Sequence, residues 1–451
     1  MTTYLSPTLQ FKNASTEERL GIIGLLILAL FAWSSPAGAY FGLAILLFSS
    51  LALLHQASYR ESLFNKAMLP AYILLAFILT WPLISSDTPK EPAPSLTKEW
   101  GFLLLPWCGY YFYRFPRLVP ICLLLLTLGL IIQTFDTIKP TWESVVHFFQ
   151  KNPAYFQTRG HGLYFTLCLT GLIILFPRFL RWSKTKILRW IYITTYLLAI
   201  IWLLQCLINA QTRMAWICFA IAIVCLMFFL FFVAFRKKQN RLKAFMSLAI
   251  IFFIITPFIH FYAEKIEKNM ALPTDVRFVQ SFLKGDPAIQ KSGSFSIRYN
   301  LNLIGIEQWQ RAPFLGLIGP SSSKPLISKY QGENKKSQPH LHNAYLEVLV
   351  QLGVVGLALC IAGVLLTFSY ATKCYKQQKL DGDLLLLFCF ALAIIALWST
   401  TNYRLTHADW RFFWIIFMGI LQAQVLKYYF YSRSYRQDIT SQRENTAACP
   451  K

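Results

Sequence analysis

The sequence predicts an all-α integral membrane protein with about twelve transmembrane helices and one large extramembrane loop that contains short helices. Of its 451 residues, 56% are hydrophobic and only 14% are charged, whereas a soluble domain carries about 25% charged residues. Apolar runs recur from residue 21 to residue 426. Most are long enough to cross about 30 Å of hydrocarbon as a helix of about 20 residues. A single long polar stretch separates two of the later runs.

The runs divide the chain into an amino-terminal segment (1–20), a bundle of about nine spans (21–262), a large loop (263–343), a bundle of about three spans (344–426) and a polar tail (427–451). The first run has no small-residue cleavage pattern and another run follows at once, so we expect a retained span. The polar composition after Ser432 predicts disorder there. The predicted spans are 21–34, 37–55, 67–85, 101–113, 118–135, 163–176, 190–208, 214–235, 244–262, 344–370, 384–400 and 410–426.

Basic residues in the short loops predict the orientation. If the amino terminus is cytoplasmic, the short inner loops hold more than twice as many Lys and Arg as the short outer loops. The positive-inside rule then puts both termini in the cytoplasm and the large loop on the external face. Much of the net charge of +23 is thereby explained by attraction to anionic membrane lipids. No phosphate-binding glycine loop or RNA-binding pattern is present, so neither ATP nor nucleic acid is expected as a partner.

The large loop is basic without a topological reason. Residues 263–343 hold eleven Lys or Arg against six acidic residues, and long loops translocate regardless of their charge. This excess indicates an anionic ligand at the external face, such as a phosphate. The alternative is a solvated loop in a basic protein.

The ten cysteines predict neither a disulfide framework nor a metal site. Most lie inside apolar runs and none form ligand-like pairs, so we interpret them as packing residues. No metal and no cofactor are expected. The cysteines inside apolar runs are Cys122, Cys168, Cys206, Cys218, Cys225, Cys360 and Cys389.

Two arginines lie where an anion would be bound. Arg213 stands at the outer end of a predicted span, where an arginine needs a partner or must reach the interface. Arg298 lies in an amphipathic helix predicted from the spacing of Ile297, Leu301 and Ile304, on the membrane or on the bundle. The alternatives are an interfacial anchor for Arg213 and a surface charge for Arg298.

The junction at 339–357, PHLHNAYLEVLVQLGVVGL, contains the candidate base. Asn343 is expected to cap the span that follows. His342 then lies at the positive end of the helix dipole, which together with nearby arginines keeps its ring neutral, as a general base requires. Gly353 and Gly356 are expected to let another helix approach. The alternatives are that His342 is structural, or that His340 is its structural partner or itself the base.

These residues resemble the O-antigen ligase and O-antigen polymerase superfamily, most closely the lipopolysaccharide O-antigen ligases. The resemblance rests on His342-Asn343, then nine residues, then Gly353-x-x-Gly356, after a long external loop. It implies about twelve spans in the bacterial inner membrane and a large periplasmic loop. Ile217 stands where the family usually has Leu four residues after the arginine matched by Arg213. Leu357 stands where ligases often have Thr, Val or Tyr, a departure toward the polymerases.

The resemblance implies an inverting, metal-independent glycosyltransferase. Its donor is an undecaprenyl-diphosphate-linked glycan and its acceptor a lipid A-core sugar hydroxyl. His342 matches the essential histidine of the family, and Arg213 and Arg298 match the arginines expected to hold the diphosphate. An O-antigen polymerase, a protein O-oligosaccharyltransferase and, from another class, a transporter or flippase remain as alternatives. A transporter should place ionisable residues near mid-membrane, whereas these candidates lie at span ends.

Overall fold

The computed structural model describes residues 14–64, 68–84, 105–138, 161–182, 185–236, 280–281, 294–317, 323–327, 340–404 and 407–447. Within these ranges the chain is helical and contains no β-strand. A 3-10 turn, Leu53–His55, follows the second helix. The helices are α1 Thr16–Phe31, α2 Pro36–Ala52, α3 Ala57–Leu63, α4 Leu69–Ile84, α5 Leu105–Arg114, α6 Leu118–Ile138, α7 Gly162–Trp182, α8 Lys186–Asn209, α9 Arg213–Arg236, α10 Ser294–Arg311, α11 Lys324–Ile327, α12 Ala344–Lys376, α13 Gly382–Ser399 and α14 Ala408–Ala447.

The all-α membrane class predicted from the sequence is confirmed. Eight helices of the described chain are long and apolar enough to cross a membrane: α2, α6 to α9 and α12 to α14. The shorter α1, α4 and α5 coincide with three further predicted spans. The remaining predicted span, 244–262, lies outside the described residues. The total of twelve spans and the segment boundaries therefore stay predictions.

Local sequence explains where these helices begin. At the start of α1, the Ser15 side chain accepts from the N–H of Glu18, and the Glu18 carboxylate accepts from the N–H of Ser15, a reciprocal capping box. Ser35 caps α2, in which Pro36 occupies the first position, where a missing N–H costs nothing. Such caps fix where the spans enter the bundle.

One set of polar contacts marks the end of the bundle that we call the opposite end. Glu18 of α1 accepts a hydrogen bond from the Tyr110 hydroxyl of α5 at 2.8 Å. Arg178 of α7 donates to Asp381 and Asp383, where α13 begins, at 2.7 and 2.8 Å. These helix ends are the ones that alternating spans would bring to a single face of the membrane.

A second set of contacts marks the motif end, which carries residues 340–343. The side chains of Gln133, at the end of α6, and His161, before α7, lie 3.0 Å apart. The Tyr345 hydroxyl of α12 donates to the Ala396 carbonyl near the end of α13 at 2.9 Å. Helix ends predicted on the external side therefore lie together. Which end faces the cytoplasm stays a prediction.

The long helix α12 is broken at Gly353, where φ is +67° and ψ is −169°. The N–H groups of Val354 and Val355 donate to the carbonyls of Pro313 and Phe314, at 2.9 and 3.1 Å. The N–H of Leu317 donates to the Val350 carbonyl at 2.8 Å. The segment after α10 thus supplies partners to backbone groups that the break leaves open. We call these contacts the backbone clamp.

The clamp corrects the role expected of the two glycines in α12. A Cβ at Gly353 would lie 2.1 Å from the Phe314 carbonyl oxygen, and a Cβ at Gly356 would lie 2.2 Å from the Leu352 side chain of the same helix. The sequence predicted that both glycines would let another helix approach. In the structure, Gly353 lets the loop after α10 approach, and Gly356 makes room for the Leu352 side chain of the same helix. The part of α12 after the break, 353–376, is about 36 Å long at 1.5 Å per residue, so it can cross the membrane alone.

The disorder predicted after Ser432 is also corrected. Helix α14 continues to Ala447. The sequence from 427 to 447 contains no glycine or proline, the residues that most strongly end a helix. This segment therefore lacks the apolar pattern of a span but keeps residues that favour a helix.

Gly353→Ala is expected to lower the melting temperature of the detergent-solubilised protein. Essentially only glycine adopts this combination of φ and ψ, which costs about 1–3 kcal/mol for another residue, and the added Cβ would also collide with the Phe314 carbonyl. Gly363→Ala on the same helix is the control, because a Cβ there meets no atom within 4 Å. Equal melting temperatures for the two variants would contradict a clamp at Gly353.

Candidate active site

Residues 340–343, which we call the histidine loop, lead directly into α12. The Asn343 side chain accepts from the N–H groups of Tyr345 and Leu346, at 3.1 and 3.2 Å, which confirms the predicted cap. His342 immediately precedes the cap and adopts a φ of +57°. Left-handed backbone is disfavoured for a residue with a side chain, and such residues cluster at functional sites.

The two histidines of the loop form a fixed pair. Their ring centroids lie 4.3 Å apart with the planes at 66°. The backbone N–H of His342 donates to Nδ1 of His340 at 3.2 Å. An uncharged imidazole has one acceptor nitrogen, so in neutral His340 the proton lies on Nε2. The Tyr403 ring also packs on His340, with centroids 5.6 Å apart and the planes at 59°.

Both histidines are held in their neutral form. Burial, followed by the positive charge of Arg298, lowers the pKa of His342 to about 4. Burial, followed by the charges of His342, His407 and Arg404, lowers the pKa of His340 to about 3. From the sequence, the helix dipole and nearby arginines were expected to keep His342 neutral. In the structure burial is the larger cause and Arg298 the second.

Helix α10 carries Arg298 and packs next to the histidine loop. Its buried Leu301 packs in one apolar cluster with Leu341, Leu346 and Val350, so α10 lies on the first turns of α12. The predicted amphipathic helix is thereby confirmed, and it lies on the bundle. Arg298 is on this helix, close enough for its charge to act on His342.

Arg213 joins the site through α10. It is the first residue of α9, and its guanidinium carbon lies 5.9 Å from the centroid of the Phe295 ring. Phe295 is one turn before Arg298 on α10. Of the predicted site residues, His340, His342, Asn343 and Arg298 therefore come together, Arg213 is linked to them by Phe295, and the two glycines lie farther along α12.

The structure adds residues that sequence reasoning did not assign to the site. Glu347, in the first turn of α12, is fully buried and accepts a hydrogen bond from the Leu341 N–H inside the histidine loop at 3.0 Å. The connection between α13 and α14 contributes Tyr403, Arg404 and His407, all near His340. The signal in the sequence was the polar stretch TNYRLTHADWR between two apolar runs.

The fold and site together define a class: a multi-span, all-α membrane protein that presents a neutral histidine pair and two arginines at one end of its bundle. Residues 198–361 match the model of a family described as O-antigen ligase. The match covers a little over a third of the chain and includes every predicted site residue. It confirms the resemblance found in the sequence: this region is similar to the O-antigen ligase and polymerase superfamily.

The match supports a glycosyltransferase-like enzyme of the O-antigen ligase or polymerase type, with glycan-lipid substrates in the membrane. A search of the curated proteins found no match.

Acidification is expected to lower the melting temperature through the histidine pair. The folded pKa values, about 3 and about 4, lie below the ordinary value of 6.5, so between these limits the unfolded chain binds protons that the folded chain does not. The contribution of the histidine pair to the free energy of unfolding is fully present above about pH 6.5 and is lost as the pH falls. His340→Asn should show a smaller decrease in melting temperature between about pH 7 and pH 5 than the wild type.

His55→Asn is the control for removing an imidazole, because His55 is exposed at the opposite end. Between about pH 7 and pH 5 the melting temperature of His55→Asn should decrease by as much as that of the wild type. If the melting temperature of His340→Asn decreased as much as that of the wild type, His340 would not be held in its neutral form.

Proposed function

We propose that the protein is an O-antigen ligase that transfers a glycan from undecaprenyl diphosphate to a lipid A-core sugar hydroxyl. The observation that carries this proposal is a half-buried, neutral His342 near the charge of Arg298, within the region that matches the O-antigen ligase family. A neutral histidine accepts a proton and an arginine holds a phosphate. These are the two tasks of glycosyl transfer from a lipid diphosphate.

In the proposed reaction, His342 takes the proton of the acceptor hydroxyl while that oxygen attacks the anomeric carbon of the donor. The bond from this carbon to the diphosphate oxygen breaks, and its electron pair leaves with the undecaprenyl diphosphate. Attack opposite the leaving group inverts the anomeric centre. The proton on His342 then passes to water.

His342 is preferred to His340 as the base because of the hydrogen bond between them. In neutral His340 the acceptor nitrogen, Nδ1, is already occupied by the N–H of His342. A general base needs a lone pair within hydrogen-bond reach of the hydroxyl. His340 is therefore assigned to holding His342.

Arg298 and Arg213 are assigned to the donor diphosphate. Guanidinium groups bind phosphate oxygens in a bidentate geometry, and each fixed donor of this kind contributes on the order of 3 kcal/mol to the transition state. The negative charge that develops on the leaving oxygen makes this stabilisation larger in the transition state than in the ground state. A diphosphate also leaves without a general acid, so the mechanism needs no metal.

The proposed location is the bacterial inner membrane, with the motif end in the periplasm. The distribution of basic residues supports this orientation through the positive-inside rule. Lipid-linked donor and lipid A-core acceptor would then approach within the same leaflet.

An O-antigen polymerase is the second candidate. It uses the same donor with a lipid-linked glycan as acceptor, and Leu357 departs from the residues common in ligases. Lipopolysaccharide from a deletion strain separates the two: loss of a ligase leaves bare core, whereas loss of a polymerase leaves core with a single repeat. If core from the deletion strain still carried full-length polymer, both candidate functions would be contradicted.

His342→Ala is expected to reduce transfer by purified protein about 10²- to 10⁴-fold, the usual contribution of a general base. Donor KM should stay near wild type because the arginines are retained. Initial rates with purified lipid-linked donor and lipid A-core acceptor measure both constants. His340→Gln should lose less, because its amide oxygen can still accept from the His342 N–H. Wild-type transfer by folded His342→Ala would exclude the proposed base.

Arg298→Ala is expected to reduce kcat/KM about 10²-fold, and Arg298→Lys should lie between it and the wild type, because lysine keeps the charge without the bidentate geometry. The same transfer assay measures both. Arg311→Ala is the matched control on α10, since Arg311 is exposed and pairs with Glu307. If Arg298→Ala were no worse than Arg311→Ala, Arg298 would be only a surface charge.

A further inference from the structure

The first turn of α12 contains a buried carboxylate that the proposed reaction does not use. Glu347 has no solvent-exposed surface. Its oxygens accept hydrogen bonds from the N–H of Leu341 at 3.0 Å, the N–H of Ser323 at 3.3 Å and the side-chain amide of Gln351 at 3.1 Å. Burying a carboxylate is expensive unless donors surround it, so this arrangement has a structural cost that a neutral side chain would avoid.

The donors to Glu347 come from separate parts of the motif end. Leu341 lies between the two histidines, Ser323 precedes α11, and Gln351 lies one turn farther along α12. The Gln351 amide is also 3.3 Å from the Tyr403 hydroxyl, and the Tyr403 ring packs on His340. The histidine loop is thus held to Glu347 directly through Leu341 and indirectly through the Gln351–Tyr403 contact.

The donors around Glu347 fit a carboxylate better than an amide. Both oxygens of Glu347 face N–H donors, and a carboxylate offers acceptors only, whereas the amide of glutamine must turn its NH₂ group toward one of these donors. The loop that Glu347 holds contains His342 with φ of +57°. Such a conformation persists only when the surrounding structure fixes it.

We propose that Glu347 is a positioning residue for glycosyl transfer, which fixes the histidine loop so that His342 stays half-buried and aimed at the acceptor hydroxyl. This inference rests on the proposed function. Glu347 touches neither substrate in this role. It acts through the Leu341 N–H, next to His342 in the chain.

The test is Glu347→Gln in full-length protein reconstituted in nanodiscs, with a purified undecaprenyl-diphosphate-linked glycan and lipid A-core. A small displacement of His342 should reduce kcat by about 10- to 100-fold. Donor KM should be nearly unchanged, because the arginines on α9 and α10 are intact. The acidic limb of the pH–rate profile should also move up, toward the ordinary histidine value of 6.5, because a released loop exposes His342.

The shift in the acidic limb distinguishes positioning from folding. Besides Glu347, the charged and titratable groups that act on the histidine pair are Arg298 of α10, which acts on His342, and Arg404 and His407, which act on His340. All of them are kept in the variant. Loss of the Glu347 charge would by itself lower the pKa of His342, so an upward shift of the limb reports a change in burial. A variant that only folded less well would lose active protein and keep the wild-type limb.

Glu307→Gln is the matched control, because Glu307 is an exposed carboxylate on α10, and it should match wild type in kcat, KM and acidic limb. If Glu347→Gln does not fold, Gln351→Leu replaces it, since this change removes the link from Glu347 to Tyr403 without burying a new polar group. We expect a lower kcat and the same direction of limb shift. Wild-type values for either measured variant would overturn the inference.

His342→Ala is measured in parallel to separate the two proposals. If His342→Ala is inactive while folded Glu347→Gln keeps the wild-type kcat per folded molecule and the wild-type limb, the positioning role is wrong and the proposed function stands. If His342→Ala transfers glycan at the wild-type rate, the proposed base is wrong and the positioning role falls with it.

Discussion

The motif end depends on backbone hydrogen bonding across the break in α12. A helix interrupted next to an apolar environment must satisfy its open N–H and carbonyl groups within the protein, and at Gly353 the segment after α10 does this. The positive φ of Gly316 lets that segment turn against α12, so both sides of the contact use a glycine. Because α10 ends directly at this clamp, the helix that carries Arg298 is fixed to the helix that begins at the histidine loop.

Burial and charge act together on the histidine pair. Burial is the larger cause of the low pKa of His342, and the charge of Arg298 adds to it. A base with so low a pKa is weak, and a general base works best when its pKa lies near the working pH. Under the proposed function, a bound diphosphate would neutralise the charge of Arg298 and remove one of the two causes. The donor would thereby strengthen the base that activates the acceptor, and His342 would gain basicity only when the leaving group is in place.

The sequence predicted what depends on local pattern. Hydropathy predicts the spans because a segment that crosses the membrane must be a continuous apolar helix that satisfies its own backbone hydrogen bonds. A short polar side chain before an apolar run, such as Asn343, is a sufficient signal for a helix cap. The distant contacts around Glu347 were not predictable. Ser323, which donates to Glu347, is 24 residues away in the chain, and Tyr403, which contacts the Glu347 partner Gln351, is 56 residues away. Gly353 was read as a contact for a helix because small residues serve that purpose in spans. A positive φ has no separate signature in one sequence.

The two arginines are joined to the histidine loop through different contacts. Arg298 lies on α10, which packs on α12 through the apolar cluster around Leu301, so its position relative to His342 follows from the backbone clamp. Arg213 belongs to α9 and meets α10 through the ring of Phe295, a side chain with 42% of its surface exposed. A cation–π contact at an exposed ring contributes about 0.5–1 kcal/mol, less than a charge-assisted hydrogen bond from a guanidinium to an anion, at about 1.5–3 kcal/mol. Under the proposed function, a diphosphate bound by both arginines would therefore link α9 to α10 more strongly than this contact does.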